Sequence, residues 1–449
     1  FKDGNAGPLD LSLDVIPPRG MGIVINQNGV KGGGFISKTE GQYSGIVDLN
    51  LYGYAIQALA ILKTEPFTSF LFAIFVNLKT AIQLGAGWKI TKIGGMLGIN
   101  HTVSHDIIAS GIKSGILDNI MFPDNIIENA PAVIRNFDAV FPALHGQNIF
   151  GPALRIAYGT PTLITGDVAV ILEFPNPFLL SILGKVTSKL PNSDNPIVQI
   201  NIGIVGALDI VNGKVGLYGS IYDSKILDFV LSGDMAFAAS WGSEKNLIFS
   251  IGGFNPRFTP PSNFPPFNAP RLRRLNLAFS DLVTFECYLA LTSNTLQLGA
   301  RVDAVFKKSG AVISGFLSFD ALVLFNPLYY VIDVEAGFGV KIKGRSLASV
   351  TFVGVIEGPN PHRIKGSVTF SILWWDFSIH VEKTFGDEIL EVISSIDPWD
   401  ILGETLKQEE SWTIETPPWQ KTGVITNDEG VLGMTEGSQL IHPTGRFKV

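Results

Sequence analysis

The sequence predicts a mainly β fold, an elongated and repetitive antiparallel structure that forms a groove or a large sandwich or barrel. Three observations support this prediction. Most segments are runs of roughly six to ten residues rich in Val, Ile, Phe, Leu and Thr that end at Gly, Asn-Gly or Pro-Asn-Pro. Short sequence tags recur along the chain. Only 16% of the residues are charged and 48 are glycine, so little charge is available to cover the surface.

Two tags recur in the same order and indicate an internal duplication. Gln-Leu-Gly-Ala at residues 83–86 returns at residues 297–300, and Glu-Phe-Pro-Asn-Pro at residues 173–177 has a counterpart, Glu-Gly-Pro-Asn-Pro, at residues 357–361. We predict that the two copies superpose once a helical stretch is removed from the first, with both proline tags at equivalent strand ends. Chance recurrence of common residues is the alternative.

Smaller signals lie within the strand pattern. Gly-Asp-Val-Ala-Val at residues 166–170 is echoed by Gly-Asp-Met-Ala-Phe at residues 233–237, which suggests that hairpins share a template. Asn212-Gly213 predicts a two-residue type I′ turn, because both positions of that turn need positive φ. Runs such as Ala-Val-Ile-Leu-Glu-Phe at residues 169–174 are almost continuously apolar, and this predicts strands covered on both faces.

A helical insert is predicted at about residues 102–140. Isoleucines recur every four residues from Ile108 to Ile120, behind the possible caps Thr102 and Ser104. This spacing predicts a helix over residues 103–121.

Two further helices complete the predicted elements. One covers residues 129–140, where Asn129 is a possible cap and Pro131 lies in the first turn. The other covers residues 387–409 and is interrupted at Pro398. The predicted organisation is lead-in strands at residues 1–42, a first β unit with the helical insert at 43–185, a second β unit at 186–386, and a C-terminal helix and tail at 387–449.

Charge and hydropathy argue against two classes of partner. The net charge of −7 and the pI of about 5.5 disfavour nucleic acid. The most apolar run, residues 67–78, is too short for a transmembrane helix, which needs about 20 residues. One basic patch lies in a proline-rich stretch, and we interpret it as solvated loop charge rather than an anion site: Arg257, Arg271, Arg273 and Arg274.

Cys287 is the single cysteine, so no disulfide forms within the chain. Its place in an apolar, strand-like run predicts a buried thiol that reacts slowly. The chain begins with Phe1 and shows no signal-peptide pattern, which suggests a fragment or a processed product. An extracytoplasmic or secreted location is favoured, and the compartment stays open.

Chemistry-bearing residues are few and scattered. His101, His105 and Asp106 have a spacing that suits a metal site, but a zincin-type glutamate and an obvious further ligand are missing. We therefore predict no metal site and interpret these three as polar residues at a helix start. We predict no catalytic residue and no cofactor. Four acidic residues are candidates for the carboxylate pair of a glycosidase, or alternatively for structural roles: Asp167, Glu173, Asp234 and Asp320.

An ordered string of motifs resembles an uncharacterised β-rich domain family. It includes "QLGAGWKITKIGGMLGIN", "FGPALRIAYGTPTLITGDVAVILEFPNP", "GGFNPRFTPP", "TSNTLQLGARVD", "FDALVLFNP" and "EGPNPHRIKGSVTFSILWWDFSIHV". The resemblance runs from about Tyr43 to the end of the chain. It implies a domain of unknown function found in large, often multi-domain bacterial and some fungal proteins. It also implies that the domain continues beyond "LIHPTGRFKV", and it brings no activity or functional residue.

Three functions fit these observations. The first is a non-enzymatic β scaffold that binds a hydrophobic ligand or lipid along an extended apolar face. The second is a structural or assembly module of a large secreted or multi-protein particle, whose partners are other protein subunits. The third is an enzyme that acts on a glycan or lipid.

Overall fold

The structure is a computed structural model, and it confirms the mainly β prediction. The chain divides into two compact units, Phe1–Leu390 and Glu391–Val449. In the second unit, two short antiparallel pairs are described, Thr413–Glu415 with Arg446–Lys448 and Val424–Thr426 with Gln439–Ile441. The helix predicted at residues 387–409 lies outside the described residues. The structure describes residues 21–27, 30–192, 195–242, 245–261, 270–280, 282–386, 413–415, 424–426, 439–441 and 446–448.

Among the described residues of the first unit, 21 strands form one sheet. The first half of the sheet comprises β1 Met21–Gln27, β2 Val30–Thr39, β3 Gln42–Leu51, β4 Tyr54–Lys63, β5 Ser69–Gly85, β6 Trp88–His101, β7 Ala143–Tyr158, β8 Ile164–Phe174, β9 Leu179–Leu190, β10 Val198–Asp209 and β11 Lys214–Ile226. The second half comprises β12 Phe229–Ser240, β13 Asn246–Ile251, β14 Leu275–Phe279, β15 Val283–Thr292, β16 Thr295–Lys308, β17 Ala311–Leu324, β18 Tyr329–Ile342, β19 Arg345–Gly358, β20 His362–Ile372 and β21 Trp375–Phe385.

The sheet is an antiparallel meander with one interruption. From β1 to β12 and from β14 to β21, each strand pairs with the next strand in sequence. β13 and β14 do not pair with each other, because both occupy the single position between β12 and β15. The chain leaves this position at Gly252 and returns to it at Leu275. We call residues 252–261 and 270–274, the described parts of this excursion, the strand-break segment.

Several hairpins close through two-residue turns that end in glycine. Ala86-Gly87, Ser309-Gly310 and Lys343-Gly344 each have positive φ at both positions, as a type I′ turn requires. The turn predicted at Asn212-Gly213 is wrong. Asp209 pairs with Lys214, so the loop has four residues, and the Asp209 carboxylate accepts hydrogen bonds from the Asn212 backbone and side chain at 2.9 and 2.7 Å.

The two proline tags lie at equivalent strand ends, as predicted. One follows β8 and the other follows β19. These strands run in the same direction, because neighbouring sheet positions alternate in direction and β13 and β14 together occupy one position. The Gln-Leu-Gly-Ala tags are not equivalent, so that part of the duplication prediction is wrong. Residues 83–86 lie at the end of β5 and in its turn, whereas residues 297–300 lie inside β16. The division into β units at residues 185 and 186 remains a prediction.

The helical insert is confirmed between β6 and β7. It contains α1 His105–Gly111, a 3₁₀ turn Ile112–Ser114, α2 Ile116–Ile120 and α3 Ala130–Val140. Gly115, with φ of 75°, breaks the first predicted helix in two. Ser104 and Asn129 take the N-cap positions without a side-chain capping bond.

The insert packs on one face of the sheet and forms the main core there. Ile108, Leu117 and Phe137 of the insert join one buried cluster with strand residues such as Leu71 and Ile171. The insert packs tightly on β10, where a Cβ added to Gly203 would lie only 2.5 Å from a methyl group of Ile112. We call this the covered face. The opposite face is not covered by the insert, so the prediction that the apolar strands are covered on both faces is wrong.

Candidate functional site: an apolar face backed by a polar row

A row of mainly polar residues, with glycine at two positions, crosses the covered face from strand to strand. Directly paired residues of antiparallel strands share a face, so the register places these side chains in line. The row breaks only where β13 and β14 meet. Its members are Lys92, Arg155, Asp167, Lys185, Gly203, Ser220 and Asp234 on one side of the break, and Tyr288, Gly299, Asp320 and Asp333 on the other.

Asp234 lies at the break and binds both the helical insert and the strand-break segment. Its side chain is fully buried, and it accepts hydrogen bonds from the Ser220 hydroxyl at 2.7 Å and from Lys113 Nζ of the insert at 3.1 Å. The backbone N–H and the guanidinium of Arg273 donate to the same carboxylate at 2.9 and 3.0 Å. Burial would raise the pKa of Asp234, but the hydrogen bonds from Arg273 and Ser220 and the charge of Lys113 hold that pKa below its usual value.

Three of the four predicted loop arginines are paired, so the interpretation as solvated charge is wrong for them. Arg273 binds Asp234, and Arg257 makes a bidentate pair with Asp333 at 2.6 and 2.7 Å. The Arg274 guanidinium lies 3.7 Å from the centre of the Tyr288 ring and 3.9 Å from Asp320. The strand-break segment is therefore fastened to the covered face by its own cations.

Glu173, the carboxylate of the first proline tag, holds the start of the insert. It is almost fully buried and accepts hydrogen bonds from the Thr102 hydroxyl at 2.8 Å and the Val103 N–H at 3.0 Å. The Ser181 hydroxyl donates to it at 2.6 Å and lies 2.7 Å from His105 Nε2. This cluster resembles the components of a catalytic triad, but the serine lies between the acid and the imidazole. All three side chains are buried between the insert and the sheet, which suits an anchor.

The four acidic candidates have separate partners rather than a shared site. Asp167 pairs with Arg155 at 2.5 and 2.6 Å, and Asp320 accepts a hydrogen bond from the Tyr288 hydroxyl at 2.8 Å. Asp167 and Glu173 share β8 but are six residues apart, about 20 Å along an extended strand. Their positions follow from strand register, which the sequence alone did not reveal.

The predicted metal candidates also have different surroundings. His101 ends β6, and its Nδ1 lies 2.7 Å from the Phe141 carbonyl oxygen; His105 begins α1 beside Ser181. Asp106 is exposed, whereas both histidines are buried. Within the described part of the chain, no group of three or more His, Cys, Asp or Glu is placed to hold a metal ion.

Stability is expected to fall between pH 7.5 and pH 5.5. Burial lowers the pKa of His101 and of His105, although the Phe141 carbonyl and Glu173, respectively, partly oppose this. A histidine whose folded pKa lies below the unfolded value of about 6.5 stabilises the fold fully above that pH and loses the contribution below it. We expect the free energy of unfolding in urea to decrease as the pH falls through this range. His101→Gln should flatten the profile, and an unchanged free energy of unfolding in the native chain would contradict the assignment.

The opposite side of the sheet is an apolar face. In β15–β21, all described, the residues on the covered side are mostly polar, and the alternate residues on the other side are apolar almost throughout. Away from the strand ends, Lys383 is the one charged side chain on the apolar face of these seven strands. Large side chains there are well exposed, with 57% for Leu317 and 52% for Phe338. Other members of this face include Val302, Phe319, Phe352, Ile364, Phe370, Phe377 and Ile379.

The apolar face is extensive and continues into the first half of the sheet. Seven strands at a spacing of about 4.8 Å span roughly 29 Å, and a strand of 14 residues runs roughly 46 Å. The same side of β3–β8 carries Val47, Ile74, Ile93, Leu97 and Phe150, all well exposed. Apolar patches of this extent on a protein surface mark interaction sites.

Cys287 lies on the apolar face between Phe285 and Leu289. It is half-buried rather than buried, so the prediction of a buried thiol is wrong in degree. Burial raises the pKa of the thiol, and the nearby Arg274 partly opposes this. Its slow reaction with thiol reagents remains a prediction, now with a physical reason, because the thiolate is the reactive form.

These features define a class: an antiparallel β protein built on one large sheet, in which the chain's own insertions cover one face and the other face is apolar. Residues 3–448 match the model of a family of unknown function, DUF6603, and the chain belongs to that family. No curated protein and no solved structure matches the chain. Among the described residues, none of the helices combines the length and apolar character needed to traverse a bilayer.

Proposed function

We propose that this protein is a non-enzymatic scaffold that binds a hydrophobic ligand, a lipid or fatty acid, along the apolar face. The observation that carries the proposal is the register of β15–β21, which gathers exposed apolar side chains on one side and polar ones on the other. Burying apolar surface contributes about 25 cal/mol per Å², so an acyl chain lying along the strands gains substantial binding energy.

The chemistry of the face favours acyl chains over a protein partner. Protein interfaces combine apolar contacts with about one hydrogen bond per 100–200 Å² and a polar rim. The strand interiors of the apolar face offer aliphatic and phenyl groups, and their main-chain N–H and C=O groups already pair within the ladder. Such a surface can bind the methylene groups of an acyl chain, but it offers no hydrogen-bonding groups that would orient a polar partner. We also propose, from the sequence resemblance, that the family occurs in large, multi-domain bacterial and fungal proteins.

Bound ligand should be detectable directly and through Cys287. Lipid extraction and native mass spectrometry of the purified protein should reveal co-purifying lipid. Because Cys287 lies on the apolar face, oleate should slow its reaction with a thiol reagent severalfold. The denatured protein supplies the control, since its thiol should react at one rate with or without oleate.

Two results would contradict the proposal. A ligand-free protein whose Cys287 reacts equally fast with and without oleate would exclude acyl-chain binding at this part of the face. A stable oligomer that shields Cys287 in the absence of lipid would favour the assembly module instead.

A further inference from the structure

Three neighbouring turns at one edge of the sheet form a single surface. They join β16 to β17 at Ser309-Gly310, β18 to β19 at Lys343-Gly344, and β20 to β21 at Leu373-Trp374. The backbone N–H of Lys343 donates to the Gly310 carbonyl at 2.7 Å, and that of Leu373 donates to the Leu347 carbonyl at 3.0 Å. These hydrogen bonds tie each turn to the next. We call this surface, residues 306–312, 340–348 and 371–376, the basic edge.

The basic edge carries a positive local charge, opposite in sign to the net charge of the protein. It contains five cations and a single carboxylate, Asp376, in a chain with a net charge of −7. All five cations are exposed. They are Lys307, Lys308, Lys341, Lys343 and Arg345.

The same edge exposes large apolar side chains at its tips. Trp374 is 80% exposed and Trp375 is 73% exposed, and Ile372, Leu373 and Phe306 accompany them. Tryptophan prefers the interface between a bilayer and water, where its ring lies among headgroups. Exposed aromatic groups beside clustered lysines are typical of a protein surface that binds anionic membranes.

We infer that the basic edge docks on an anionic lipid bilayer, with the two tryptophans entering the headgroup region. Charge complementarity supports this partner, because the five cations are exposed in or next to tight turns whose backbone is fixed by the sheet. A bilayer also accepts the apolar tips without a shaped pocket. Trp375 belongs to the apolar face as well, so a docked edge connects the bilayer with the start of that face. The inference is independent of the proposed function, since docking does not require ligand on the face.

Sedimentation with vesicles tests the inference. We expect binding to vesicles of phosphatidylcholine mixed with phosphatidylserine, and weaker binding to phosphatidylcholine alone or at high salt. Each lysine near an anionic surface contributes about 1 kcal/mol, so the triple variant Lys307→Gln, Lys308→Gln, Lys343→Gln should lower the affinity about 100-fold. Trp374→Ser with Trp375→Ser should weaken binding to both kinds of vesicle.

A matched control removes the same charge elsewhere. Lys38→Gln, Lys214→Gln and Lys365→Gln lie toward the opposite edge of the sheet and should leave vesicle binding within about twofold. Equal losses in both triple variants, or retention on single-stranded DNA without binding to vesicles, would overturn the inference. The oleate effect on Cys287 should persist in the basic-edge variants, which separates failure of docking from failure of ligand binding.

Discussion

Asp234→Ala is expected to lower the free energy of unfolding by about 2–3 kcal/mol, because it removes several charge-assisted hydrogen bonds to a buried carboxylate, whereas Lys113 and Arg273 are 32% and 42% exposed and regain water. The substitution leaves Lys113 and Arg273 without their shared carboxylate. It also releases the helical insert and the strand-break segment from β12 together. Urea unfolding followed by tryptophan fluorescence measures the change.

An exposed ion pair provides the control for that measurement. Asp303 receives a bidentate hydrogen bond from Arg301 at 2.7 and 2.8 Å, but both side chains are more than one third exposed. Asp303→Ala should therefore cost no more than about 1 kcal/mol. Similar losses of free energy in the two variants would show that Asp234 does not link the insert and the strand-break segment to β12.

The same role predicts sensitivity to acid. Because the pKa of Asp234 is held low, its carboxylate stabilises the fold above about pH 4, and this contribution is lost as the pH falls further.

Three acidic substitutions on the apolar face should abolish most ligand binding. Leu317→Asp, Phe352→Asp and Phe370→Asp together remove apolar contacts of about 1.5–3 kcal/mol each and place charges where a ligand would desolvate them. We expect at least about a 100-fold loss of oleate affinity by isothermal titration calorimetry.

The matched variant adds the same charges to the same strands on the other side. Ser314→Asp, Thr351→Asp and Ser367→Asp lie on the covered side of β17, β19 and β20 and should bind oleate as the native chain does. Circular dichroism should show that both variants keep their strands. An equal loss of affinity in the two would place the ligand elsewhere.

The local elements of this fold were predictable because their signals are local. Isoleucines at a spacing of four gave the insert, and the proline tags marked strand ends. The apolar face also had a signal in "WDFSIHVEKTF", where Trp375, Phe377 and Ile379 alternate with polar residues. That period of two predicts a strand with one apolar side, whereas the continuously apolar runs elsewhere in the chain predict two covered faces.

The remainder could not be read from spacing, because it depends on register and on distant partners. Lys113 meets Asp234 across 121 residues, and Arg257 meets Asp333 across 76. The weak echo between residues 166–170 and 233–237 is informative in retrospect, since Asp167 and Asp234 occupy the same polar row and each binds an arginine. The Gln-Leu-Gly-Ala tag, a closer match, gave a wrong prediction of equivalent positions, because the same four residues form a strand end and turn in one place and a strand interior in the other.

The meander has a consequence for how the chain folds. Successive hairpins bring together residues that are close in sequence, and proteins rich in such local contacts fold faster than those that depend on distant pairings. The sheet can therefore form one hairpin at a time. The hydrogen bonds of Asp234 with Lys113 and of Glu173 with Thr102 instead require closure of loops of 121 and 71 residues, so they form later. We infer that strand pairing precedes the packing of the helical insert and of the strand-break segment on the sheet. The last step of folding then buries the covered face and leaves the apolar face exposed.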